Sequence, residues 1–265
     1  MMENYLEFAK KLARDAGEIM QKYFNQAVAT HYKGDKTIVT AADEEINQMV
    51  IDRVQEKYPE HGVFGEEQSF GQDKITLWVC DPVDGTAMFA RGIPTAVFSI
   101  ALVEDGVPKI GVVYDPFMDK MWYASVGGGA FCDDKPVYVN ETLLADNSAT
   151  VNFDTSARYM PKGDASHVAQ KIVQYADERV YLVSIGSIIH AGCLVAEGKF
   201  VAEITGVTKG KNMDVAALKV IVEEAGGRVT DIFGNEQRYD RDINGAIISN
   251  AVVFDELMRV GKGEK

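Results

Sequence analysis

Four acidic side chains, far apart in the chain, are the residues of this sequence best suited to chemistry: Glu66, Asp81, Asp84 and Asp214. Asp81 directly follows an apolar run at residues 77–80, and Asp84 comes three residues later. We therefore expect both carboxylates to converge beyond the end of a buried strand. The set offers only hard oxygen ligands, which suit Mg²⁺ or Mn²⁺ better than zinc.

The residues that follow Asp81 also predict a phosphate site. Pro82 fixes the backbone of the turn, Gly85 allows close approach to a ligand, and Thr86 can cap a short helix over residues 87–90. The beginning of such a helix suits a phosphate group. Carboxylates beside a phosphate site are the equipment of metal-assisted phosphate ester hydrolysis. The alternative is an Asp-Pro turn with a helix cap and no ligand.

Each of the other acids has an ordinary structural explanation as an alternative. Glu66 and Glu67 follow a predicted strand and could be a solvated pair. Asp214 lies in the first turn of a predicted helix, where it would compensate the helix dipole. Asp43 follows Thr40 by three residues, which fits a capping box.

Patterns of other enzyme classes are absent from the sequence. It has no G-x-S-x-G, no H-E-x-x-H and no P-loop. The histidines lack metal-ligand spacing, so we treat each as structural or solvated; they are His31, His61, His167 and His190. The cysteines are scattered, which argues against a zinc cluster or a disulfide framework and favours a reducing compartment. They are Cys80, Cys132 and Cys193.

Composition excludes further classes. The 265 residues carry 40 acidic and 27 basic side chains, a net charge of -13. Such a chain is poorly suited to binding nucleic acid phosphates but suits a site that concentrates cations. The first residues are acidic where a signal peptide has basic residues followed by an apolar run. Apolar runs such as residues 96–103 are too short to span a membrane. We predict a cytoplasmic location with no membrane partner.

The hydrophobic pattern predicts an α/β protein with two halves, residues 1–140 and 141–265, that share one layered body. An Asp-Gly pair at residues 105–106 predicts a hairpin, and a Gly-Gly pair at 226–227 predicts the end of a helix. Helices are expected over residues 3–25, 41–58, 164–177, 187–197, 213–225 and 253–260. Strands are expected at 63–65, 77–80, 96–103, 109–114, 121–124, 131, 180–183, 200–203, 228–230 and 246–249.

Three ordered motifs resemble those of the inositol monophosphatase family. Residues 78–86 read W-V-C-D-P-V-D-G-T, where the family has W-x-x-D-P-[ILV]-D-G-T. Residues 65–67 match its G-E-E, and residues 214–217 with 224–227 match its D-x-A-[AG] and E-A-G-G. The resemblance extends to about residue 250. It implies a layered αβαβα sandwich, a homodimer, and Mg²⁺-dependent hydrolysis of a small phosphate monoester, with Mn²⁺ able to substitute.

The resemblance also implies site roles for individual residues. Two or three Mg²⁺ ions are implied: the first held by Glu66, Asp81 and the Val83 carbonyl, the second by Asp81, Asp84 and Asp214, and a weaker third facing Glu66. The implied catalytic residues are Asp43, Thr86 and Glu66, of which Thr86 and Asp43 would position and help deprotonate the attacking water. The remaining implied substrate contacts are Asp84, Gly85, Thr86, Lys33, Gly186, Ser187, Ile188 and Glu203.

Departures from the family pattern leave the substrate open. Met88 replaces the usual Asn, Met213 replaces the usual Trp, and a longer stretch after Glu203 carries Lys209 and Lys211. An inositol monophosphate is the first expectation. Fructose 1,6-bisphosphate, a 3′-phosphonucleotide and histidinol phosphate are alternatives. A non-catalytic protein that binds metal or phosphate is the alternative from another class.

Overall fold

The computed structural model describes residues 2–24, 30–32, 38–153, 170–172, 174–175, 180–206, 212–243 and 245–262. Its helices are α1 (Met2–Tyr23), α2 (Ala41–Lys57), α3 (Thr86–Phe89), α4 (Ile188–Ala196), α5 (Asn212–Glu224) and α6 (Ala251–Lys262). Residues 170–172 and 174–175 are also helical, and the rest of the helix expected over 164–177 lies outside the described residues. Among the described residues, no helix is both long and apolar enough to cross a membrane.

Two sheets and one small ribbon contain the strands. The ribbon pairs β1 (Thr30–Tyr32) with β2 (Ile38–Thr40). The first sheet contains β3 (Gly62–Gly65), β4 (Ser69–Phe70), β5 (Thr76–Asp84), β6 (Val97–Glu104), β7 (Val107–Asp115), β8 (Lys120–Ser125), β9 (Gly129–Cys132) and β10 (Lys135–Pro136). The second contains β11 (Thr150–Phe153), β12 (Tyr181–Val183), β13 (Ala202–Thr205), β14 (Arg228–Thr230) and β15 (Ala246–Ser249).

The first sheet has the strand order β10-β9-β8-β7-β6-β5-β3-β4. It is antiparallel except where β3 runs parallel to β5. The second has the order β12-β11-β13-β15-β14, with β11 parallel to both of its neighbours. The expected hairpin joins β6 to β7, and Gly106 adopts a φ of 78° in its turn. The division at residue 140 stays a prediction.

Helices cover both faces of the first sheet. In β5, Trp78 and Cys80 pack into the core formed with α1 and α2, whereas Leu77 and Val79 pack into the core formed with α4 and α5. Because successive strand residues point to opposite faces, a strand buried on both sides is apolar throughout. Helices α4 and α5 also contact the second sheet, and α6 packs on that sheet's far side. The order of layers is αβαβα, which confirms the expected fold.

The end of β5 differs from the prediction. The strand was expected to stop at Cys80, with Asp81 beyond it in a turn, but pairing with β6 continues to Asp84. The register shifts between Asp81 and Asp84. Pro82, which lies within the shift, has no N–H to donate to a ladder, so an irregularity here is the expected way for the strand to continue. The two aspartates therefore lie on either side of an irregular strand end.

Candidate metal and phosphate site

Three buried aspartates converge where the first sheet meets α5. Asp81, Asp84 and Asp214 each offer a carboxylate oxygen, and these atoms all lie within 4.8 Å of one another. Asp81 and Asp84 come from the end of β5, and Asp214 comes from the first turn of α5. The helix can approach the sheet closely because β7 has glycine at position 111: a Cβ on Gly111 would lie 2.3 Å from the Ala217 carbonyl oxygen.

The chemistry of this group fits a divalent cation. The exposed fractions of Asp81, Asp84 and Asp214 are 3%, 7% and 4%. Three carboxylates so close together, and away from water, repel one another strongly unless positive charge compensates them. Their oxygens are the hard ligands that Mg²⁺ and Mn²⁺ prefer. The donor set therefore suits the implied metal.

A second acidic group contains Glu66, which had been predicted to join the three aspartates. Carboxylate oxygens of Asp43, Glu66 and Glu67 lie within 4.8 Å of one another, with Asp43 buried and Glu66 exposed. Glu67 was not predicted as a site residue. The predicted first ion, held by Glu66, Asp81 and the Val83 carbonyl, stays a prediction, as does the weaker third ion that faces Glu66.

Thr86 contacts Asp43 of the second acidic group directly and is linked to Asp81 of the first through Val83. Its hydroxyl oxygen is 2.9 Å from the carbonyl oxygen of Val83 and 3.4 Å from Asp43 Oδ1. The backbone N–H of Val83 in turn donates to Asp81 Oδ1 at 3.1 Å. Gly85 supports this geometry, since its φ of 86° is the left-handed conformation that favours glycine. One short segment thus connects both acidic groups through backbone and hydroxyl contacts.

Asp43 takes part in the expected capping box and also contacts Thr86. Its Oδ2 accepts hydrogen bonds from the Thr40 backbone N–H at 2.9 Å and the Thr40 hydroxyl at 2.5 Å, consistent with a capping box. Its Oδ1 faces Thr86. Burial raises the pKa of Asp43 to about 7; Glu66 and Glu67 raise it as well, and the bonds from Thr40 oppose the rise. Capping α2 and facing the site are compatible because each role uses a different oxygen.

The beginning of α4 holds Asp84. The Ser187 hydroxyl donates to Asp84 Oδ2 at 2.5 Å, and the Ile189 backbone N–H donates to the same oxygen at 2.8 Å. The Ser187 oxygen also accepts from the His190 backbone N–H at 3.1 Å, which caps the helix. A carboxylate at a helix N-terminus is stabilised by the helix dipole and by these donors.

Segment 186–188, predicted to contact substrate, lies directly beside residues 85–88. A Cβ on Gly85 would be 3.0 Å from the Gly186 carbonyl oxygen, and a Cβ on Gly186 would be 2.7 Å from Met88 Cγ. Ile188 is buried as the first residue of α4. The structure therefore brings this segment to the Asp84 end of the site; its contact with substrate stays a prediction.

Glu203 makes a buried contact with Asn152, and its contact with substrate stays a prediction. It lies fully buried in β13 and accepts a hydrogen bond from the Asn152 side-chain amide. Asn152 Oδ1 accepts from the Ile185 backbone N–H at 3.0 Å, next to Gly186. Asn152 was not predicted, since a single Asn in a short strand carries no recognisable signal. Of the predicted site, Lys33, Lys209 and Lys211 lie outside the described residues.

Asn47 is a further residue that the sequence reasoning missed. Its Oδ1 accepts from the backbone N–H groups of Glu67 and Gln68 at 3.2 and 3.4 Å, and its amide donates to the Gln68 carbonyl at 3.0 Å. It thereby fixes the loop that carries Glu66 and Glu67. Its position four residues after Asp43 places both on the same face of α2, which was the available signal.

Comparisons with known proteins identify the relatives of this chain. The model of the inositol monophosphatase family matches residues 1–259. The chain is 33% identical over 241 residues to inositol monophosphatase 1 of Sus scrofa, covering 86% of this chain and 84% of that one. It is 31% identical over 263 residues to a histidinol-phosphatase of Chlorobaculum parvum, covering 98% of both. The IMPase structure from Thermotoga maritima superposes with a TM-score of 0.84 at 29% identity, covering 98% and 97%.

Proposed function

The chain belongs to the inositol monophosphatase family and is a phosphoric monoester hydrolase, and we propose that it hydrolyses small phosphate monoesters with Mg²⁺ as its cofactor. The observation that carries this proposal is the convergence of three buried carboxylates within 4.8 Å. Such a group is costly to bury alone and is suited to a hard cation. A non-catalytic binding protein, the alternative from another class, is not favoured, because the relatives include an inositol monophosphatase and a histidinol-phosphatase.

In the proposed site, Asp81, Asp84 and Asp214 would hold one ion, and Glu66, Asp81 and the Val83 carbonyl would hold another. When bound, Mg²⁺ neutralises phosphate charge and lowers the pKa of water at the site. The proposed assignment of a third, weaker ion to Glu66 is supported by the neighbouring carboxylates of the second acidic group.

The chain's own residues position the reactants. Thr86 Oγ1, which is 2.9 Å from the Val83 carbonyl oxygen, orients the attacking water. Asp43, whose Oδ1 lies 3.4 Å from the Thr86 hydroxyl, accepts the proton that the water loses. The backbone of Gly85 and Thr86 holds the phosphate. Little covalent chemistry is left for the protein, because phosphoryl transfer depends mainly on positioning and on charge stabilisation.

The substrate class that we favour is an inositol monophosphate, contacted through Gly186, Ser187, Ile188 and Glu203. Histidinol phosphate is the second candidate, because the chain is 31% identical to a histidinol-phosphatase over nearly its whole length. Fructose 1,6-bisphosphate and a 3′-phosphonucleotide complete the panel. Lys33, Lys209 and Lys211 remain proposed contacts, as do the homodimer and the cytoplasmic location.

The test is phosphate release from these four esters with and without Mg²⁺, on the wild type and two variants. Asp84→Asn removes one charged ligand and should lower turnover by at least a hundredfold. Asp231→Asn is the matched control: Asp231 is also buried, but its hydrogen bonds are with its own turn at residues 233–235. Wild-type release that persists in EDTA, or a folded Asp84→Asn variant with the activity of the control, would contradict the proposal.

A further inference from the structure

One buried histidine outside the acidic groups links α4 to the first sheet. His190 lies in the first turn of α4 and is 8% exposed. Its Nδ1 is 3.1 Å from the Thr95 carbonyl oxygen, and its Nε2 is 4.0 Å from Asp115 Oδ2. Because a carbonyl oxygen can only accept, Nδ1 carries a proton and donates it to Thr95. Both ring nitrogens therefore face oxygen atoms of the first sheet, one just before the start of β6 and one at the end of β7.

The two residues that the His190 ring faces belong to segments next to the strand end that carries Asp84. Thr95 comes two residues before Val97, and Val97 is the β6 residue that pairs with Asp84 beyond the register shift. Asp115 ends β7, the strand on the other side of β6. The beginning of α4 supplies the donors to Asp84 Oδ2. His190 thus joins the helix that holds the carboxylate to the two strands beside it.

A buried aspartate, Asp115, lies near the other nitrogen of the His190 ring. Asp115 is fully buried, and its Oδ1 accepts from the backbone N–H groups of Phe117 and Met118 at 2.8 and 3.1 Å. Among the described residues, Asp115 Oδ2 has no hydrogen bond, and it faces the His190 ring. At 4.0 Å the Asp115 contact is longer than a hydrogen bond, so the bond from Nδ1 to Thr95 is the directional contact of this ring. The Trp122 ring, 5.7 Å from the imidazole between centroids, packs against it.

We propose that His190 is a positioning residue for Asp84: its Nδ1 hydrogen bond to Thr95 fixes the first turn of α4, and through Ser187 and the Ile189 N–H it fixes the carboxylate for metal binding. The inference rests on the proposed function, because it assigns Asp84 to a metal ion. Mutation of a residue that orients a metal ligand without touching the metal typically weakens metal binding by about 10–100-fold. His190 acts through one more contact, so we expect the lower end of that range.

The experiment measures Mn²⁺ binding by electron paramagnetic resonance, with no substrate present. His190→Leu removes both polar contacts and should weaken binding about tenfold. His190→Asn places its amide where Nδ1 was and should bind within threefold of the wild type. His190→Gln reaches toward Asp115 but not Thr95 and should weaken binding about tenfold. The Asn and Gln variants keep the test decisive if the Leu variant does not fold.

His61→Leu is the matched control for lost stability. His61 is also buried, at 4% exposed, and also makes one ring hydrogen bond, from Trp78 Nε1 to Nδ1 at 3.2 Å. It should lose stability while binding Mn²⁺ within twofold of the wild type. Equal affinities of the Asn and Gln variants, or equal weakening by His61→Leu, would overturn the positioning role. A wild type that binds no Mn²⁺ would instead overturn the proposed function, and the role of His190 with it.

Discussion

Replacing Asp214 by Asn should change the stability of the protein in opposite directions with and without metal. In the metal-free protein, Asp214 adds a third negative charge to a buried group whose carboxylate oxygens lie within 4.8 Å of one another. The amide removes that charge at almost the same volume. With Mg²⁺ present, the same change removes a ligand, so the stabilisation from binding is lost.

The sizes of both effects follow from the geometry. Two unit charges 4.8 Å apart repel by about 3.5 kcal/mol at an effective dielectric constant of about 20. Side-chain relaxation and screening by solvent relieve part of this repulsion, so we expect the metal-free variant to gain about 2 kcal/mol. Metal at about a thousand times its dissociation constant stabilises the wild type by about 4 kcal/mol. The variant should therefore be about 2 kcal/mol less stable than the wild type in saturating Mg²⁺.

Thermal unfolding at pH 8, in EDTA and in saturating Mg²⁺, measures both signs. At about 2 °C per kcal/mol for a chain of this size, the variant should melt about 4 °C higher than the wild type in EDTA and about 4 °C lower in Mg²⁺. Asp231→Asn should shift Tm in the same direction under both conditions. An Asp214→Asn variant that is destabilised equally in EDTA and in Mg²⁺ would refute the argument from repulsion.

Two further predictions concern stability against pH and the hold on Asp84. Burial lowers the pKa of His61 below its ordinary value near 6.5. The folded protein therefore favours the neutral ring, and the stability that this ring contributes is lost as the pH falls from about 6.5 toward the lowered pKa. His61→Asn should flatten the fall in urea-unfolding free energy between about pH 6.5 and 5, and an unchanged slope would contradict this. Ser187→Ala removes the 2.5 Å bond to Asp84, so the half-saturating Mg²⁺ concentration should rise about tenfold and stability should fall by about 1 kcal/mol. Ser187→Thr should restore both, whereas equal values for the Ala and Thr variants would show that the hydroxyl is not needed.

The layered fold was predictable because its signals are local or periodic. The Asp-Gly hairpin and the helix ended by Gly226 follow from turn chemistry, and the strand at residues 246–249 follows from a short, mostly apolar run. The end of β5 was less predictable: Pro82 indicated a break, but whether the chain turns or continues past it depends on pairing with β6. That pairing is a property of the folded sheet rather than of the local sequence.

The site was predictable in its aspartates and less so in the residues that support them. Asp81 and Asp84 are close in sequence, and their spacing already brings them together. The roles of His190 and Asn152 depend on partners at positions 95 and 203, which no local pattern connects to them. Glu66 lies in the loop that follows β3. Its grouping with Asp43 depends on how α2 packs against the first sheet.

The most direct test of the central claim is to locate a cation in the crystal. Crystals grown with Mn²⁺ and measured at the manganese absorption edge should give an anomalous peak within coordination distance of Asp81, Asp84 and Asp214. Crystals of the Asp84→Asn variant should lose that peak or show it greatly reduced. Manganese bound elsewhere, with no peak between the three wild-type carboxylates, would contradict the account.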